Sequence, residues 1–427
     1  MSVATLLEKD RELISPAFSR SSELVVDSAE GAWLHTLDGR SVLDFTCGIG
    51  VTNLGHRHPA VVRAVHEQVD RLWHVSGTAH HPQLTAAAEA LVGVLPAGLS
   101  SVFFGNSGAE AVEAALKLAR RATGRSEIIA FLGAFHGRTY GAVTLTSSKA
   151  KYKAQMGPFL PGVHHVRYPY CFRMCSHGPY EPCPIASGED LDLLFQMLVP
   201  PDSVAAIVVE PIQGEGGYVV PPEGFLPRLR QICDAHGILL VADEVQTGFG
   251  RSGRMFAVEH TGVVPDIMCV AKALGNGLPI AAMVAKPSVG SQWHPGEHGT
   301  TYGGNAVACA AAVAVIDTMV REHLPERAAR LGAHVLERAR GWQAHHPELG
   351  DVRGRGLMIG LEFMEGRHPA PEIAKRVLDA ALEHDLLLLT CGVSENVIRL
   401  IPPLTIAEEE LEKGLDILEA SLGEAGA

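Results

Sequence analysis

The sequence predicts an α/β protein with an open, mostly parallel sheet covered by helices, followed by a smaller α+β unit. Helix-like and strand-like segments alternate along most of the 427 residues, without internal repeats. Several short segments are apolar at every position, which is typical of parallel strands buried on both faces. The order of segments changes in the C-terminal part of the chain, so we expect a separate unit there.

The clearest helix signal lies at residues 107–122. Small and aliphatic residues recur there at helical spacing on one face: Val112, Ala115, Leu116 and Ala119. Ser107 and Glu110 have the separation of a capping box, in which a hydroxyl and a carboxylate satisfy free amides of the first helical turn. The pattern therefore predicts a helix that starts at Ser107.

Four apolar runs follow this helix and predict buried strands, at 128–132, 204–209, 238–242 and 267–271. Three of them end directly before a charged residue, namely Glu210, Asp243 and Lys272. Ligands of open α/β sheets bind beyond the carboxyl ends of the strands, so these residues are candidates for a site. The alternative is that a strand simply ends where the chain meets water, and for Glu210 this alternative stays open.

The C-terminal part predicts a small α+β unit. Amphipathic segments predict helices at 321–343, 371–384 and 407–422, and apolar segments predict strands at 354–363, 385–390 and 397–402. Short strand-like pieces near the N-terminus are expected to pack with this unit. The expected division is an N-terminal segment at 1–55, a large domain at 56–325 and a small domain at 326–427.

Charge and hydropathy exclude several classes of partner. The chain has 35 Lys and Arg residues against 48 Asp and Glu residues, a formal charge of −13, and its basic residues are scattered. Nucleic acid is therefore not expected to bind. The longest strongly apolar stretch, 306–316, is too short to span a membrane. The N-terminal residues match neither a signal peptide nor a transit peptide, so a cytoplasmic location is expected.

One cysteine cluster raises the question of a metal site. Cys171, Cys175, His177 and Cys183 could supply four zinc ligands, but their spacing matches none of the usual structural zinc patterns. The alternative is a proline-rich excursion whose thiols have no ligand role. We favour the excursion and expect no metal.

Lys272 is the residue best placed for chemistry. A lysine buried at the end of an apolar strand has a lowered pKa and suits Schiff-base formation, although a lysine that reaches solvent would fit the position equally. Three features favour a phosphate-bearing aldehyde cofactor. The segment 106–109 can bind phosphate at a helix start, through Ser107 and the small Gly108. Asp243 can keep a ring nitrogen protonated, and Phe135 can stack on the ring.

Seven segments of the chain resemble those of a known family. The segments NSGAEAVEAALKLAR, FHGRTYGA, EPIQGEGGY, LLVADEVQTGFGRSG, AKALGNGLPI, TTYGGNAVACAAA and IRLIPPLTI are similar to the class III aminotransferases, which use pyridoxal 5'-phosphate and have fold type I. They occur in the family's order over nearly the whole chain. The resemblance implies a seven-stranded, mostly parallel sheet in the large domain.

The resemblance also implies roles for individual residues. Lys272 would form the internal aldimine, and Asp243 would pair with the pyridine nitrogen. The remaining cofactor contacts would come from Ser107, Gly108, Ala109, Phe135, His136, Val245 and Gln246. Thr301 would bind the phosphate held by the neighbouring subunit. A homodimer with shared active sites is therefore implied, and a dimer of dimers is compatible with it.

Within the family the chain is most similar to 4-aminobutyrate and other ω-amino-acid aminotransferases. That likeness implies substrate contacts from Ile49, Arg138, Glu210, Glu215 and Arg399. Arg399 would bind the α-carboxylate of an acceptor such as 2-oxoglutarate or pyruvate, and Glu215 would neutralise it when an ω-amine occupies the site. Amino-acid racemases and epimerases of the same family use the same lysine and aspartate, so they remain the alternative.

Overall fold

The structure is a computed structural model that describes residues 2–174 and 183–426. Its largest sheet has seven strands, in the spatial order β4-β10-β9-β8-β7-β5-β6. These strands are β4 (Ser101–Gly105), β5 (Glu127–Phe131), β6 (Val163–Val166), β7 (Val204–Val209), β8 (Leu239–Asp243), β9 (Ile267–Val270) and β10 (Ala281–Ala285). Only β10 runs antiparallel to its two neighbours, so the predicted mostly parallel sheet is confirmed.

The large sheet is buried on both faces, which explains the uninterrupted apolar runs. Along β7, Ala206 and Val208 pack into the core on one face, whereas Ile207 and Val209 pack into the core on the other. All six residues of this strand are buried. The four predicted strands are present as β5, β7, β8 and β9, with ends that differ from the prediction by at most one residue.

Helices cover this sheet and connect its strands. Before β7 lie α1 (Val3–Leu13), α2 (Cys47–Gly50), α3 (Pro59–Val69), α4 (Pro82–Val94), α5 (Gly108–Thr123), α6 (Tyr140–Leu145), α7 (Cys171–Met174), α8 (Pro184–Ser187) and α9 (Glu189–Met197). After it lie α10 (Phe225–His236), α11 (Pro287–Gly290), α12 (Ala306–Arg321), α13 (Leu324–Trp342), α14 (Pro371–Glu383) and α15 (Glu408–Gly426).

Helix α5 begins where the capping signal predicts. Ser107 Oγ accepts a hydrogen bond from the amide of Glu110 at 3.2 Å. The second hydrogen bond differs from that of an ordinary capping box, because the Glu110 carboxylate accepts from the amide of Asn106 at 2.6 Å rather than from that of Ser107. The helix ends at Gly124, whose φ of 68° is the left-handed conformation that favours glycine.

Two smaller sheets contain the remaining strands. One has the order β1-β2-β3-β14, formed by β1 (Val26–Glu30), β2 (Trp33–Thr36), β3 (Ser41–Asp44) and β14 (Leu386–Leu387). The other has the order β11-β12-β16-β15, with the short β13 beside β12, formed by β11 (Leu349–Arg355), β12 (Met358–Glu365), β13 (His368–Pro369), β15 (Leu389–Cys391) and β16 (Val397–Leu400). N-terminal and C-terminal segments thus share a sheet through β3 and β14. The division into domains stays a prediction.

Three C-terminal predictions were wrong in detail. The strand predicted at 354–363 is a hairpin of β11 and β12, because Gly356, with φ of 55°, allows a turn in the middle of the apolar segment. The strand predicted at 385–390 is divided between two sheets, as β14 and β15. The helix predicted to begin at residue 321 begins at Leu324, because the left-handed His323 separates it from α12.

Candidate active site

A cavity of 690 Å³ opens at the carboxyl ends of β4, β7, β8 and β9 and reaches Arg399 on β16. Every residue that the sequence predicts to contact cofactor or substrate lines this cavity, except Thr301. The three charged strand ends, Glu210, Asp243 and Lys272, therefore meet at one edge of the sheet, as parallel strand geometry requires.

Lys272 follows β9 directly and begins a short 3₁₀ turn, Lys272–Gly275. Its φ of 38° lies in the left-handed region, which is strained for a residue with a β-carbon. Burial, and then the nearby Arg399 cation, lower the pKa of the Lys272 ammonium to about 8. Its amine is therefore uncharged far more often at physiological pH than that of an ordinary lysine, and the uncharged form is the nucleophile and the base.

Asp243 ends β8, the strand beside β9, and is held by two hydrogen-bond partners. Its Oδ1 accepts from the amide of Val245 at 3.0 Å, and its Oδ2 lies 2.7 Å from His136 Nδ1. Burial opposes a charged imidazole, but the contact with Asp243 raises the pKa of His136 above its usual value. The imidazole thus fixes the orientation of a buried carboxylate in the wall of the cavity.

The N-terminus of α5 forms a second wall, through Ser107, Gly108 and Ala109. A β-carbon on Gly108 would lie 2.8 Å from Val245 Cγ1, so no larger residue fits without a shift. A β-carbon on Gly137 would lie 2.6 Å from that of Ala109. The backbone is therefore closely packed around the first turn, where free amides and the helix dipole favour an anion such as phosphate.

Phe135, Val245 and Gln246 contribute an aromatic ring, an aliphatic side chain and an amide to the cavity. Gln246 Oε1 is buried and has no hydrogen-bond partner within the described part of the chain. A buried acceptor without a partner is costly, so a hydroxyl or amine on a bound molecule is expected to satisfy it.

The carboxylate of Glu210 is not free in the cavity, because backbone amides bond to it. Its two oxygens accept hydrogen bonds from the amides of Phe135 at 2.9 Å and Gly214 at 2.8 Å. Burial raises the pKa of Glu210 to about 7. These bonds favour a role in holding two loops of the cavity wall together, and the predicted substrate contact stays a prediction.

Arg399 lies buried on β16 with Glu215 against it. Arg399 Nη2 lies 3.4 Å from Glu215 Oε2 and donates to the carbonyl of Thr390 at 2.9 Å. Its Nε and Nη1 are buried without a hydrogen-bond partner among the described residues. A carboxylate that binds Arg399 with both oxygens would use one of these two nitrogens together with Nη2, so Glu215 competes with it for Arg399.

Arg138 is exposed at the cavity and rests on aromatic rings. Its Cζ lies 4.0 Å from the centre of the Tyr152 ring and 5.7 Å from that of Phe135. It forms no ion pair within the residues that the structure describes. Ile49, the other predicted substrate contact, also lines the cavity and is half exposed. An unpaired cation is thus available at a second position for a substrate carboxylate.

Three polar residues around the cavity are not predicted from the sequence. Ser19 and Tyr152 line it, and the Tyr152 hydroxyl donates to Glu215 Oε1 at 3.1 Å. Lys149 Nζ lies 3.1 Å from the same oxygen. Lys149 and Tyr152 lie in a lysine-rich segment that reads as a solvated loop, so no local signal could have identified them.

Comparison with known proteins agrees with this geometry. The family model described as Aminotransferase class-III matches residues 15–422. A probable 4-aminobutyrate aminotransferase of Bacillus subtilis is 39% identical over 423 residues, covering 97% of this chain and 96% of that protein. A 5-aminovalerate aminotransferase of Pseudomonas aeruginosa is 41% identical over 420 residues, covering 97% of each. A crystal structure of a pyridoxal phosphate-bound amine transaminase from an uncultivated Pseudomonas species is 34% identical, with a TM-score of 0.88 over 97% of both chains.

The chain belongs to the class III aminotransferase family. It is therefore an enzyme that uses pyridoxal 5'-phosphate to move an amino group from an amino donor to a 2-oxo acid. When bound, the cofactor supplies an aldehyde that reacts with amines and a ring that withdraws electrons. The relatives named above are all aminotransferases, so they do not support the racemase alternative.

The residues around the cavity fit this cofactor. Lys272 offers an amine with a lowered pKa, and Asp243 offers a fixed carboxylate for the ring nitrogen. The glycine-lined start of α5 suits the phosphate, and the unpaired Gln246 Oε1 suits a hydroxyl on the ring. These residue roles are proposals.

Two sets of residues singled out from the sequence do not line this cavity. Thr301 lines a second cavity, of 660 Å³, so its predicted role toward a neighbouring subunit stays a prediction. The cluster of Cys171, Cys175, His177 and Cys183 lies partly outside the described residues, because 175–182 are not among them.

The described residues also contain no helix long and apolar enough to cross a membrane.

We expect the rate at which the apoenzyme captures pyridoxal phosphate to rise with pH and to level off above about pH 8, the pKa of Lys272. Only the uncharged amine attacks the aldehyde, and below the pKa the uncharged fraction falls about tenfold per pH unit. Stopped-flow absorbance at constant ionic strength measures this rate. A rise that continues to about pH 10, as for lysine in solution, would contradict the lowered pKa.

Proposed function

We propose that this enzyme transfers the amino group of an ω-amino acid, of the 4-aminobutyrate or 5-aminovalerate type, to a 2-oxo acid such as 2-oxoglutarate or pyruvate. One observation carries the proposal: two arginines line the cavity that contains Lys272, and a carboxylate covers only one of them. An ω-amino acid has a single carboxylate, far from its amine, whereas 2-oxoglutarate has two. A site that accepts both substrates needs one cation that is always available for a carboxylate. It also needs a second cation that becomes available only when the substrate has a carboxylate beside its reacting carbon.

In the donor half-reaction, the single carboxylate of the ω-amino acid binds Arg138, and its amine reaches Lys272. No carboxylate then lies beside the reacting carbon. Glu215, at 3.4 Å from Arg399, neutralises that guanidinium, so no buried cation is left without a partner.

In the acceptor half-reaction, the α-carboxylate of the 2-oxo acid displaces Glu215 from Nη2 of Arg399 and binds Nη2 together with one of the unpartnered nitrogens, Nε or Nη1, as a planar pair. The distal carboxylate of 2-oxoglutarate binds Arg138. In the donor half-reaction the uncharged Lys272 Nζ accepts a proton from the substrate carbon, and in the acceptor half-reaction the protonated Nζ returns a proton to that carbon. Asp243 keeps the ring nitrogen protonated and so favours electron withdrawal by the ring.

A homodimer with shared active sites is part of the proposal. Thr301 lies outside the active-site cavity and lines the second one, where a phosphate bound by another copy of the chain would reach it. Trp73 and Tyr302, near this second cavity, are each 63% exposed in the single chain, which supports a contact surface there. A further association into a dimer of dimers, and the cytoplasmic location, stay predictions.

Arg399→Lys is expected to lower kcat/KM for 2-oxoglutarate by roughly ten- to a hundredfold, because an ammonium keeps the charge but cannot bond both carboxylate oxygens as a fork. The half-reaction with 4-aminobutyrate or 5-aminovalerate is expected to change much less. Single-turnover absorbance of the holoenzyme measures each half-reaction separately.

Arg138→Lys is the matched variant and is expected to reduce the half-reaction of the ω-amino donor and that of 2-oxoglutarate, whose distal carboxylate also binds Arg138, but not that of pyruvate, which has no distal carboxylate. Equal losses in both half-reactions for both variants would contradict two separate carboxylate positions. The wild-type assay also tests the reaction class, because product formation that requires a 2-oxo acid identifies a transferase. Because 4-aminobutyrate and 5-aminovalerate are achiral, a racemase is tested with a chiral α-amino acid, whose loss of optical rotation without an acceptor would identify a racemase instead.

A further inference from the structure

The Glu215 carboxylate lies between two cations rather than against one. Its Oε2 lies 3.4 Å from Arg399 Nη2, whereas its Oε1 lies 3.1 Å from Lys149 Nζ. The Tyr152 hydroxyl also donates to Oε1, at 3.1 Å. Burial alone would raise the pKa of Glu215, but Arg399 and Lys149 together lower it. Each carboxylate oxygen therefore has its own cationic partner.

Lys149 belongs to a row of alternating charges that runs from the buried Arg399 to the surface. Its Nζ also lies 3.1 Å from Glu395 Oε1, which lies 2.8 Å from Lys151 Nζ. The exposed fraction of the side chains is 11% for Lys149 and 16% for Glu215, but 65% for Lys151. The contact between Lys149 and Glu215 is thus largely protected from water, unlike the outer end of the row.

The backbone at Glu215 is anchored independently of its side chain. The carbonyl of Glu215 accepts a hydrogen bond from the amide of Gly392 at 2.9 Å. A change in the partner of the carboxylate therefore requires only rotation of the side chain, and the loop can stay in place.

We propose that Lys149 is the positioning residue that retains Glu215 while Arg399 binds the α-carboxylate of the 2-oxo acid. This inference rests on the proposed function, in which that carboxylate displaces Glu215. Displacement would leave a largely buried carboxylate without a cation, and such a charge is strongly unfavourable. Lys149 removes this cost, because its contact with Oε1 already exists when the contact between Oε2 and Arg399 is lost.

Without Lys149, Arg399 is the only cation among the described residues that stays in direct contact with Glu215. Glu215 then competes more strongly with the incoming α-carboxylate. The donor half-reaction, in which Glu215 stays on Arg399, does not require the exchange. Lys149 therefore affects one half of the catalytic cycle and not the other.

The test uses the Lys149→Met holoenzyme, in which the thioether side chain keeps most of the length of lysine without its charge. We expect KM for 2-oxoglutarate to rise about tenfold with little change in kcat, and the half-reaction with 5-aminovalerate to stay within about twofold of wild type. Calorimetric binding of glutarate, a dicarboxylate without a keto group, to the holoenzyme is expected to weaken by a similar factor.

Lys151→Met is the matched control, because Lys151 contacts Glu395 and not Glu215. It is expected to leave both half-reactions and glutarate binding unchanged. In a Glu215→Gln background the effect of Lys149→Met is expected to disappear, which a merely structural role would not explain. Equal losses in both half-reactions, unchanged glutarate binding, or an effect that persists in the Glu215→Gln background would overturn the inference. A wild-type enzyme that does not use 2-oxoglutarate would contradict the proposed function itself.

Discussion

Replacing Lys272 with alanine is expected to abolish turnover, by at least about a thousandfold, and to remove the visible absorbance of the bound cofactor. The substitution removes the covalent attachment and the proton-transferring amine together. Desolvation lowers the pKa of Lys272 to about 8, and a water molecule in its place would be a far weaker base than this amine. Absorbance spectra and steady-state rates of the purified variant measure both effects.

Addition of methylamine to the Lys272→Ala enzyme is expected to restore part of the rate, because a small amine can occupy the space of the lost side chain. Lys153→Ala is a suitable control, since burial also lowers the pKa of Lys153, whose Nζ donates to the carbonyl of Thr144 at 2.7 Å. Lys153 does not line the cavity. Residual activity near that of wild type in Lys272→Ala would refute the assignment.

Replacing Asp243 with asparagine is expected to leave the cofactor bound but to lower kcat by about a hundredfold or more, because a neutral amide does not stabilise a protonated ring nitrogen. The shape of the side chain is nearly unchanged, and the amide oxygen can still accept from Val245. The loss therefore reports charge rather than packing. Cofactor content and single-turnover rates of the variant distinguish binding from chemistry.

Glu244→Gln provides the comparison for Asp243→Asn. Glu244 is also fully buried, but its carboxylate bonds to the amide of Val258 at 2.8 Å and to the Thr247 hydroxyl, away from the cavity. That variant is expected to lower stability more than kcat. A near wild-type rate for Asp243→Asn would show that another group keeps the ring nitrogen protonated.

Local patterns were enough to predict four of the seven strands of the central sheet and the charged residues at three of their ends. The uninterrupted apolar runs predict β5, β7, β8 and β9, because strands buried on both faces have no polar side. Asp243 and Lys272 follow from the same runs, since charged residues at the carboxyl ends of parallel strands must lie at one edge of the sheet. The Ser107 cap and the helix after it are likewise encoded within one short segment.

The C-terminal strands were harder to predict from the sequence, because the residues of a strand do not specify which other strands it pairs with. The apolar segment around Gly356 looks continuous in the sequence, and only a turn at a positive φ divides it into β11 and β12. The short strands β14 and β15 are neighbours in the chain but join different sheets. Such pairings depend on contacts with distant segments, here β3 and β16.

The sequence by itself determined the family and the cofactor chemistry and predicted the residues proposed to carry it, because these depend on short motifs and on the ends of locally predictable strands. Only the tertiary structure decided which charges meet. Lys149, Glu215 and Arg399 lie in three separate segments, and their contacts arise when the loops after the large sheet pack against β16. A lysine in a polar loop has the same local pattern whether it is solvated or, like Lys149, largely buried beside a carboxylate.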